Sequence, residues 1–179
     1  MRSDIGRGII AGLIGGVFFG IMMQMMNAPR PQGGEMPMMA MVAMIVRSDS
    51  TLVGWLYHLF NSALIGAIFS RLFGCRLQSF AAGLGWGAAY GFVWWILGAL
   101  ILMPILLGMR PLAPLMMEPM RPVAVGSLLG HLIYGIILGG SLVMMKQKAL
   151  GVPRQNEPRE TGRTDSLRRL SKQPKGDNR

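Results

Sequence analysis

Two histidines are the residues of this chain best suited to bind a ligand. His58 lies in VGWLYHLFNSALIGAIF (53–69) and His131 in LLGHLIYGIILGG (128–140), and the sequence has no other histidine. Both stretches are apolar and uncharged, so each imidazole is expected inside a membrane-spanning helix. A polar group there is costly unless it is hydrogen-bonded or bound to a ligand, and it usually faces protein.

Three roles suit these imidazoles, and the sequence leaves them open. In the first, each ring is structural and hydrogen-bonds a carbonyl of a neighbouring helix or loop. Polar side chains available as local partners are Gln24, Tyr57, Asn61 and Tyr134. In the second, His58 and His131 ligate one haem b, as facing helices of a bundle often do. In the third, they bind a soft metal, above all copper as Cu(I), with thioether ligands from some of the 17 methionines.

We favour the structural role, so no cofactor is expected, and catalytic groups are scarce as well. The four long apolar runs contain no Asp, Glu or Lys, which disfavours transport coupled to protons or sodium through an acidic site. The sequence has no phosphate-binding glycine loop, HExxH, nucleophile elbow or CxxC pair. We therefore expect that the protein is not an enzyme.

The apolar runs define the fold class. They cover residues 8–26, 52–73, 80–103 and 123–145, and a spanning helix needs about 20 apolar residues. The chain is 51% hydrophobic and 15% charged, whereas soluble domains are about 25% charged. Because the runs are continuous rather than alternating, helices are favoured over strands. The sequence predicts an all-α polytopic membrane protein with a four-helix transmembrane domain at 1–145.

Positive charges predict the orientation of these helices. Fourteen of the 18 Lys and Arg lie at the two ends of the sequence, at the end of the second run or between the second and third runs: Arg2, Arg7, Arg71, Arg76 and ten in 146–179. The loops 27–51 and 104–122 carry the other four together with three acidic residues. Cytoplasmic loops are the positively charged ones, so both termini are predicted to be cytoplasmic. The first run is expected to be retained, because no small-residue cleavage site follows it.

The segment 146–179 differs from the rest of the chain. Its ten basic and four acidic residues, with few apolar ones, predict a disordered cytoplasmic tail. Lys146, Lys148 and Arg154 would attract anionic lipid headgroups. The tail lacks interleaved aromatic residues, so no nucleic acid partner is expected. Cys75, in the other basic segment, is expected to be an inert free thiol.

Small residues four positions apart give every predicted helix a packing face, because they let helices approach closely in lipid. The predicted packing residues are Gly8, Gly12, Gly16, Gly20, Ser62, Gly66, Ser70, Gly83, Gly87, Gly91, Gly135 and Gly139. His58 precedes Ser62 by one turn and His131 precedes Gly135 by one turn. Both rings are therefore predicted to face protein at a similar depth. Faces left unused within the monomer would favour a homo-oligomer or a partner in a membrane complex.

Two parts of the sequence resemble each other. GLIGGVFFG (12–20) aligns with GLGWGAAYG (83–91), and the histidine helices align with an offset of 73 residues. Loops rich in Met and Pro, 27–51 and 104–122, follow the first and third runs. The chain is thus predicted to contain two tandem helix pairs related by a pseudo-twofold axis along the membrane normal.

The first of these loops contains an apolar run of its own. Residues 36–46 are too few to span a bilayer, so they predict a short helix that is interfacial or re-entrant. Pro37 is placed near the first turn of that helix, where proline is tolerated.

The run GAAYGFVWWILGALILMPILLGM (87–109), followed by LLGHLIYGIILGG, resembles the YagU-like family of small four-helix bacterial inner-membrane proteins. The resemblance covers most of the membrane part and rests on glycine, tryptophan and the LMP turn. It implies an inner-membrane location and a link to acid stress, in which His58 and His131 would change charge between about pH 5 and 8. It supplies no catalytic residues. We predict a non-enzymatic accessory or scaffold protein, with a haem b or copper protein as the alternative.

Overall fold

The computed structural model describes residues 2–30 and 33–149. Within these residues, four helical stretches are long and apolar enough to cross a membrane: Asp4–Met25, Thr51–Arg76, Phe80–Leu106 and Glu118–Ala149. They coincide with the four predicted apolar runs, so the mainly helical fold with four candidate spans is confirmed. The disordered tail was predicted to begin at residue 146, but residues 146–149 are the helical end of the fourth stretch; the rest of the predicted tail, from 150, lies outside the described residues.

Ten elements and two 3-10 turns make up the described chain. In order they are α1 (Arg2–Met25), β1 (Asn27–Pro29), β2 (Glu35–Pro37), α2 (Met38–Ile45), α3 (Thr51–Phe73), α4 (Phe80–Trp94), a π-helical segment (Trp95–Leu102), α5 (Met103–Leu106), α6 (Ala113–Met116) and α7 (Arg121–Ala149), with the 3-10 turns at Gly74–Arg76 and Glu118–Met120. Ser79 caps α4, its side-chain oxygen accepting a hydrogen bond from the Ala82 amide at 3.1 Å. The third span, from α4 to α5, ends before Gly108, whose φ of 76° suits glycine.

The first spanning helix, α1, packs against α3 through its glycines. Gly12 faces Ser62 and Gly66, and Gly8, one turn earlier, faces Gly66 and Ser70. A Cβ atom at Gly12 or Gly8 would collide with a carbonyl oxygen of α3. The predicted small residues of both helices therefore lie at one close contact, with the two helices antiparallel.

The last spanning helix, α7, packs against α4 in the same manner. Gly83 faces the Gly139 carbonyl, and Gly87 faces the Gly135 carbonyl. Gly91 lies one turn further along and also contacts Gly135. At all three positions of α4 an added Cβ would strike the backbone of α7, so only glycine permits this approach.

Contacts between α1 and α7 join the two helix pairs. Tyr134 of α7 lies against Gly15 of α1, and its hydroxyl donates a hydrogen bond to the Ser62 carbonyl of α3 at 2.8 Å. At the ends of α7 and α3, Lys146 Nζ donates to the Gly74 carbonyl at 2.6 Å. The start of α1, the end of α3 and the end of α7 consequently share one end of the bundle.

We call this the basic end, because it carries most charges of the described helices. Its cationic residues are Arg7, Arg71, Arg76, Lys146 and Lys148. The opposite end, which we call the hairpin end, holds the strands, α2 and α6.

The helices α3 and α4 contact each other less extensively than either pair just described. In the half of the bundle near the basic end, aromatic rings fill the space between them. Tyr90 lies 5.0 Å from Phe69 and Phe73 lies 5.1 Å from Trp86, measured between ring centroids. The Tyr90 hydroxyl donates to the Ile65 carbonyl at 3.0 Å. In the other half no such filling is present among the described residues, and a cavity remains.

The segment between α1 and α3 folds over the hairpin end. The strands β1 and β2 pair antiparallel, and Gly33 and Gly34 in their connection have φ angles of 94° and 81°. The short helix predicted in 36–46 is present as α2, directly after Pro37, and it buries Met38, Met39, Met41, Val42 and Ala43. The hairpin was not predicted, since strands of three residues leave no clear alternation in a sequence.

Candidate functional site

The candidate site is a cavity of about 220 Å³ in the hairpin half of the bundle. It lies between α3 on one side and the π-helical segment with α5 on the other, and α1, α2 and α7 complete its walls. His58 and His131 both line it. The structure thus brings the two predicted site residues, 73 positions apart, to a single space.

The mouth of this cavity opens on the outer surface of the helices. Leu64, Leu102 and Leu106 line it, and their side chains are 49%, 49% and 56% exposed. Exposed leucines on a spanning helix belong to the surface that lipid covers. The cavity therefore borders that surface and is not enclosed on this side.

His58 is fixed by a bond to the neighbouring helix α1. Its Nε2 donates a hydrogen bond to the Gly16 carbonyl at 2.9 Å. A carbonyl of a neighbouring helix is the kind of partner that the structural role requires, although Gly16 itself was not predicted. The rings of Phe19 and Trp55 pack edge-on against the imidazole, at centroid distances of 5.5 and 6.4 Å. Gly20, one turn from Gly16, lies against the Trp55 ring. The predicted packing face of α1 therefore also leaves room for the Trp55 ring beside His58.

His131 is fixed by its own helix instead of a neighbour. Its Nδ1 donates to the Ser127 carbonyl, one turn earlier in α7, at 2.7 Å. The Ser127 hydroxyl in turn accepts a hydrogen bond from Trp95 Nε1 at 3.2 Å. The phenyl ring of Phe19 packs against His131 at 4.7 Å, so one ring contacts both imidazoles.

These bonds determine the tautomer of each neutral ring. A backbone carbonyl can only accept, so the nitrogen bonded to it carries the proton and the other nitrogen carries a lone pair. The lone pairs are on Nδ1 of His58 and on Nε2 of His131. Neither atom has a hydrogen-bond partner among the described residues.

The two unpaired nitrogens are not fully enclosed by the described residues. Among the described residues, no side-chain nitrogen or oxygen is both fully buried and without a hydrogen-bond partner. The unpaired nitrogens must therefore be accessible, and the cavity is the space that both rings line. A Cβ built on Gly98 of the π-helical segment would lie 3.9 Å from His131 Nε2, which locates that atom beside the cavity wall.

Two further polar side chains line the cavity without a partner in the described part of the chain. They are the hydroxyl of Tyr57 and the amide of Asn61. Both were predicted as partners of the histidines, and neither bonds them. The other two predicted partners are engaged elsewhere: Gln24 accepts from Trp55 Nε1 at 3.3 Å, and Tyr134 donates to Ser62.

Three methionines line the same cavity: Met23, Met38 and Met103. Thioether sulfur and imidazole nitrogen are ligands that suit Cu(I). A bis-histidine haem suits the cavity poorly, because pockets for drug-sized ligands already measure about 300–1,000 Å³ and this cavity measures about 220 Å³. Clusters of three or more His, Cys, Asp or Glu suited to a metal are not found in residues 2–30 and 33–149.

Two contributors to the site, Phe19 and the π-helical segment, were not predicted from the sequence. Phe19 has no polar group and no special spacing, and its contact with both histidines depends on how α1 packs between α3 and α7. The π-helical segment is the second, since WILGALIL has the composition of any spanning helix. Its Trp95 also donates to the Ala124 carbonyl at 3.1 Å. Short π-helical insertions are often found at functional sites.

Comparison of the chain with protein-family models, curated proteins and solved structures finds no match. The resemblance to the YagU-like family stays a prediction.

Proposed function

We propose that this is a non-enzymatic membrane protein whose cavity binds the polar head of a lipid-soluble molecule. The observation that carries the proposal is the set of unpartnered polar groups at one laterally open cavity: His58 Nδ1, His131 Nε2, the Tyr57 hydroxyl and the Asn61 amide. In hydrocarbon each unpaired polar group costs several kcal/mol, so a ligand that pairs with them gains much of its affinity there. Such a protein would act as an accessory or binding subunit in the bacterial inner membrane.

The same proposal includes orientation and internal symmetry. We place the basic end in the cytoplasm, on the basis of its arginines and lysines, so that the cavity opens in the outer leaflet. Tandem symmetry is supported by the recurrence of one contact pattern. Gly12 of α1 contacts Ser62 of α3, and in the second pair Gly87 of α4 contacts Gly135 of α7. One turn earlier in each pair, Gly8 contacts Gly66 and Gly83 contacts Gly139. These contacts favour aligning 8–16 with 83–91, one helical turn from the alignment that the sequence suggested.

Analysis of co-purified lipids tests the proposed function. The purified protein is extracted with organic solvent and the extract is analysed by mass spectrometry. We expect a lipophile in stoichiometric amount, and we expect Ala99→Phe, which fills the cavity, to lose it. Leu97→Phe, two positions away on the lipid-facing surface, is the matched control and should keep it.

A second variant tests the proposal independently, in case Ala99→Phe does not fold. Asn61→Leu removes the amide at nearly constant volume and should reduce the amount of bound lipophile. If the wild type carries no lipophile, or if all three variants retain it equally, the proposed function is wrong.

A soft-metal function is the second candidate, because Met23, Met38 and Met103 share the cavity with both free nitrogens. Elemental analysis after incubation with Cu(I) under reducing conditions tests it. One tightly bound copper per chain, lost in Met38→Leu and Met103→Leu, would favour this function over the binding of a lipophile.

A further inference from the structure

The proposed function leaves the chemical class of the ligand open, and the present inference rests on that function. We propose that the cavity selects a quinol, an aromatic ring carrying two hydroxyl groups, with an apolar tail that leaves through the mouth. Three observations support this ligand: the polarity of the histidine nitrogens, the aromatic walls with the cavity volume, and the position of the mouth.

The polarity of the nitrogens is the first observation. In each neutral ring the proton is on the nitrogen that donates to the Gly16 or Ser127 carbonyl, so the other nitrogen, which faces the cavity, is an acceptor. A hydroxyl group donates to such a nitrogen, whereas a quinone carbonyl, an ether or an ester cannot. The two acceptors come from α3 and α7 and flank one phenyl ring, so a ligand that satisfies both needs two separate donors, which the quinol supplies as two hydroxyl groups.

The walls and the volume are the second observation. Phe19, Tyr57, Trp94 and Tyr134 line the cavity, and aromatic side chains pack favourably on an aromatic ligand in stacked or edge-on arrangements. A cavity of about 150 Å³ holds benzene in a well-studied lysozyme variant. The 220 Å³ of this cavity is therefore sufficient for a substituted single ring.

The mouth is the third observation. It is bounded by Leu64 of α3 and by Leu102 and Leu106 at the end of the third span. A tail attached to the ring can pass between these leucines into the acyl chains. The Tyr57 hydroxyl and the Asn61 amide, which can also donate, would bond the lone pairs of the ligand oxygens.

Calorimetric titration of the full chain in lipid nanodiscs tests the proposal. The probes are decylubiquinol kept reduced under anaerobic conditions, decylubiquinone, and 1-decanol as an alcohol without a ring. We expect the quinol to bind at least about tenfold more tightly than the quinone, because two hydrogen bonds of about 1 kcal/mol each depend on its hydroxyl groups. Decanol should bind more weakly than both.

Two variants remove the acceptors while preserving the structural bonds. In His58→Gln the side-chain amide can replace the Nε2 donor to Gly16, and in His131→Asn it can replace the Nδ1 donor to Ser127. Each variant loses the cavity-facing imidazole nitrogen, and its amide oxygen, the one remaining side-chain acceptor, is attached at a different position from that nitrogen. We expect each to lose about fivefold or more in quinol affinity, with quinone affinity and melting temperature unchanged.

The outcomes separate this inference from the function on which it rests. Equal affinities of quinol and quinone, or wild-type quinol affinity in both histidine variants, would overturn the quinol assignment while leaving a lipophile-binding protein. Decanol binding as tightly as the quinol would do the same. If none of the probes binds and the organic extract is empty, the proposed function fails together with the inference.

Discussion

At the scale of single residues, each histidine has one ring nitrogen in a structural hydrogen bond and one ring nitrogen without a partner among the described residues. The nitrogen bonded to Gly16 or Ser127 holds the ring in place, and the opposite nitrogen is left to the cavity. The structural and ligand-binding roles, which were alternatives in the sequence, are therefore compatible in one side chain. What the sequence could indicate was the presence of two imidazoles beside packing faces. Which nitrogen would be free depends on carbonyls that only the folded chain positions.

The glycines at helix contacts are the residues whose identity the fold constrains most. A Cβ at Gly87 would collide with the Gly135 carbonyl, and backbone at a helix contact cannot move aside cheaply. We expect Gly87→Ala to destabilise the protein by roughly 1–3 kcal/mol, as overpacking generally does. The free energy of unfolding, measured by SDS titration in mixed micelles, checks this value.

Gly85→Ala is the matched control for that experiment. It lies on the same helix, and no described atom other than its own helix backbone lies within 4 Å of a Cβ built there. Its free energy of unfolding should remain the same or rise slightly, because alanine favours the helix over glycine. Equal destabilisation by both substitutions would contradict the packing role of Gly87.

At the scale of elements, the π-helical segment and α7 depend on each other. Trp95 Nε1 donates to the Ala124 carbonyl and to the Ser127 hydroxyl, and Ser127 is also the residue that orients His131. We expect Trp95→Phe to destabilise the protein by about 1 kcal/mol and to weaken ligand binding through His131. Unfolding titration and ligand titration of the same sample measure both effects.

Trp86→Phe provides the comparison for Trp95→Phe. The Trp86 ring packs on Phe73, and its indole nitrogen has no hydrogen-bond partner within the part of the chain that the structure describes. It should lose neither stability nor affinity to the same extent. A loss of affinity that is as large in Trp86→Phe would show that the effect is not specific to the π-helical segment.

The elements also differ in how far the sequence predicts them. The apolar runs and the glycine spacing predicted the four spans and the small-residue faces, because both features depend on local pattern alone. The hairpin β1–β2 and the π-helical segment were missed, since the first is held by six paired residues and the second differs from an α-helix in hydrogen-bond register, not in composition. The cavity was missed for another reason. It is a region where α3 and α4 separate, and the separation of two helices depends on how the whole bundle packs and leaves no local pattern in the sequence.

At the scale of the whole molecule, the proposed orientation is accessible to direct measurement. Cys75 is exposed at the basic end and is the one cysteine of the sequence. We expect a membrane-impermeant maleimide to label it in inverted vesicles and to leave it unlabelled in intact spheroplasts. Gel-shift detection of the labelled chain distinguishes the two results.

The opposite result is expected for a cysteine at the hairpin end. Arg110 is exposed in the loop between α5 and α6, so Arg110→Cys in a Cys75→Ser background should be labelled in spheroplasts. If Cys75 is labelled from outside and residue 110 from inside, the orientation predicted from the positive charges is wrong, and the cavity opens in the other leaflet.

Phe19 connects the two helix pairs in a way that bears on cooperativity. Its ring lies against His58 of one pair and His131 of the other. A ligand that shifts the phenyl ring while it bonds one histidine also changes the surroundings of the second. If the proposed ligand bonds both histidines, we expect the two hydrogen bonds to be coupled, so that removing both acceptors changes the affinity by an amount different from the sum of the separate losses. The Phe19 ring, which has no polar atom, would then determine whether the two histidines bind the ligand independently or cooperatively.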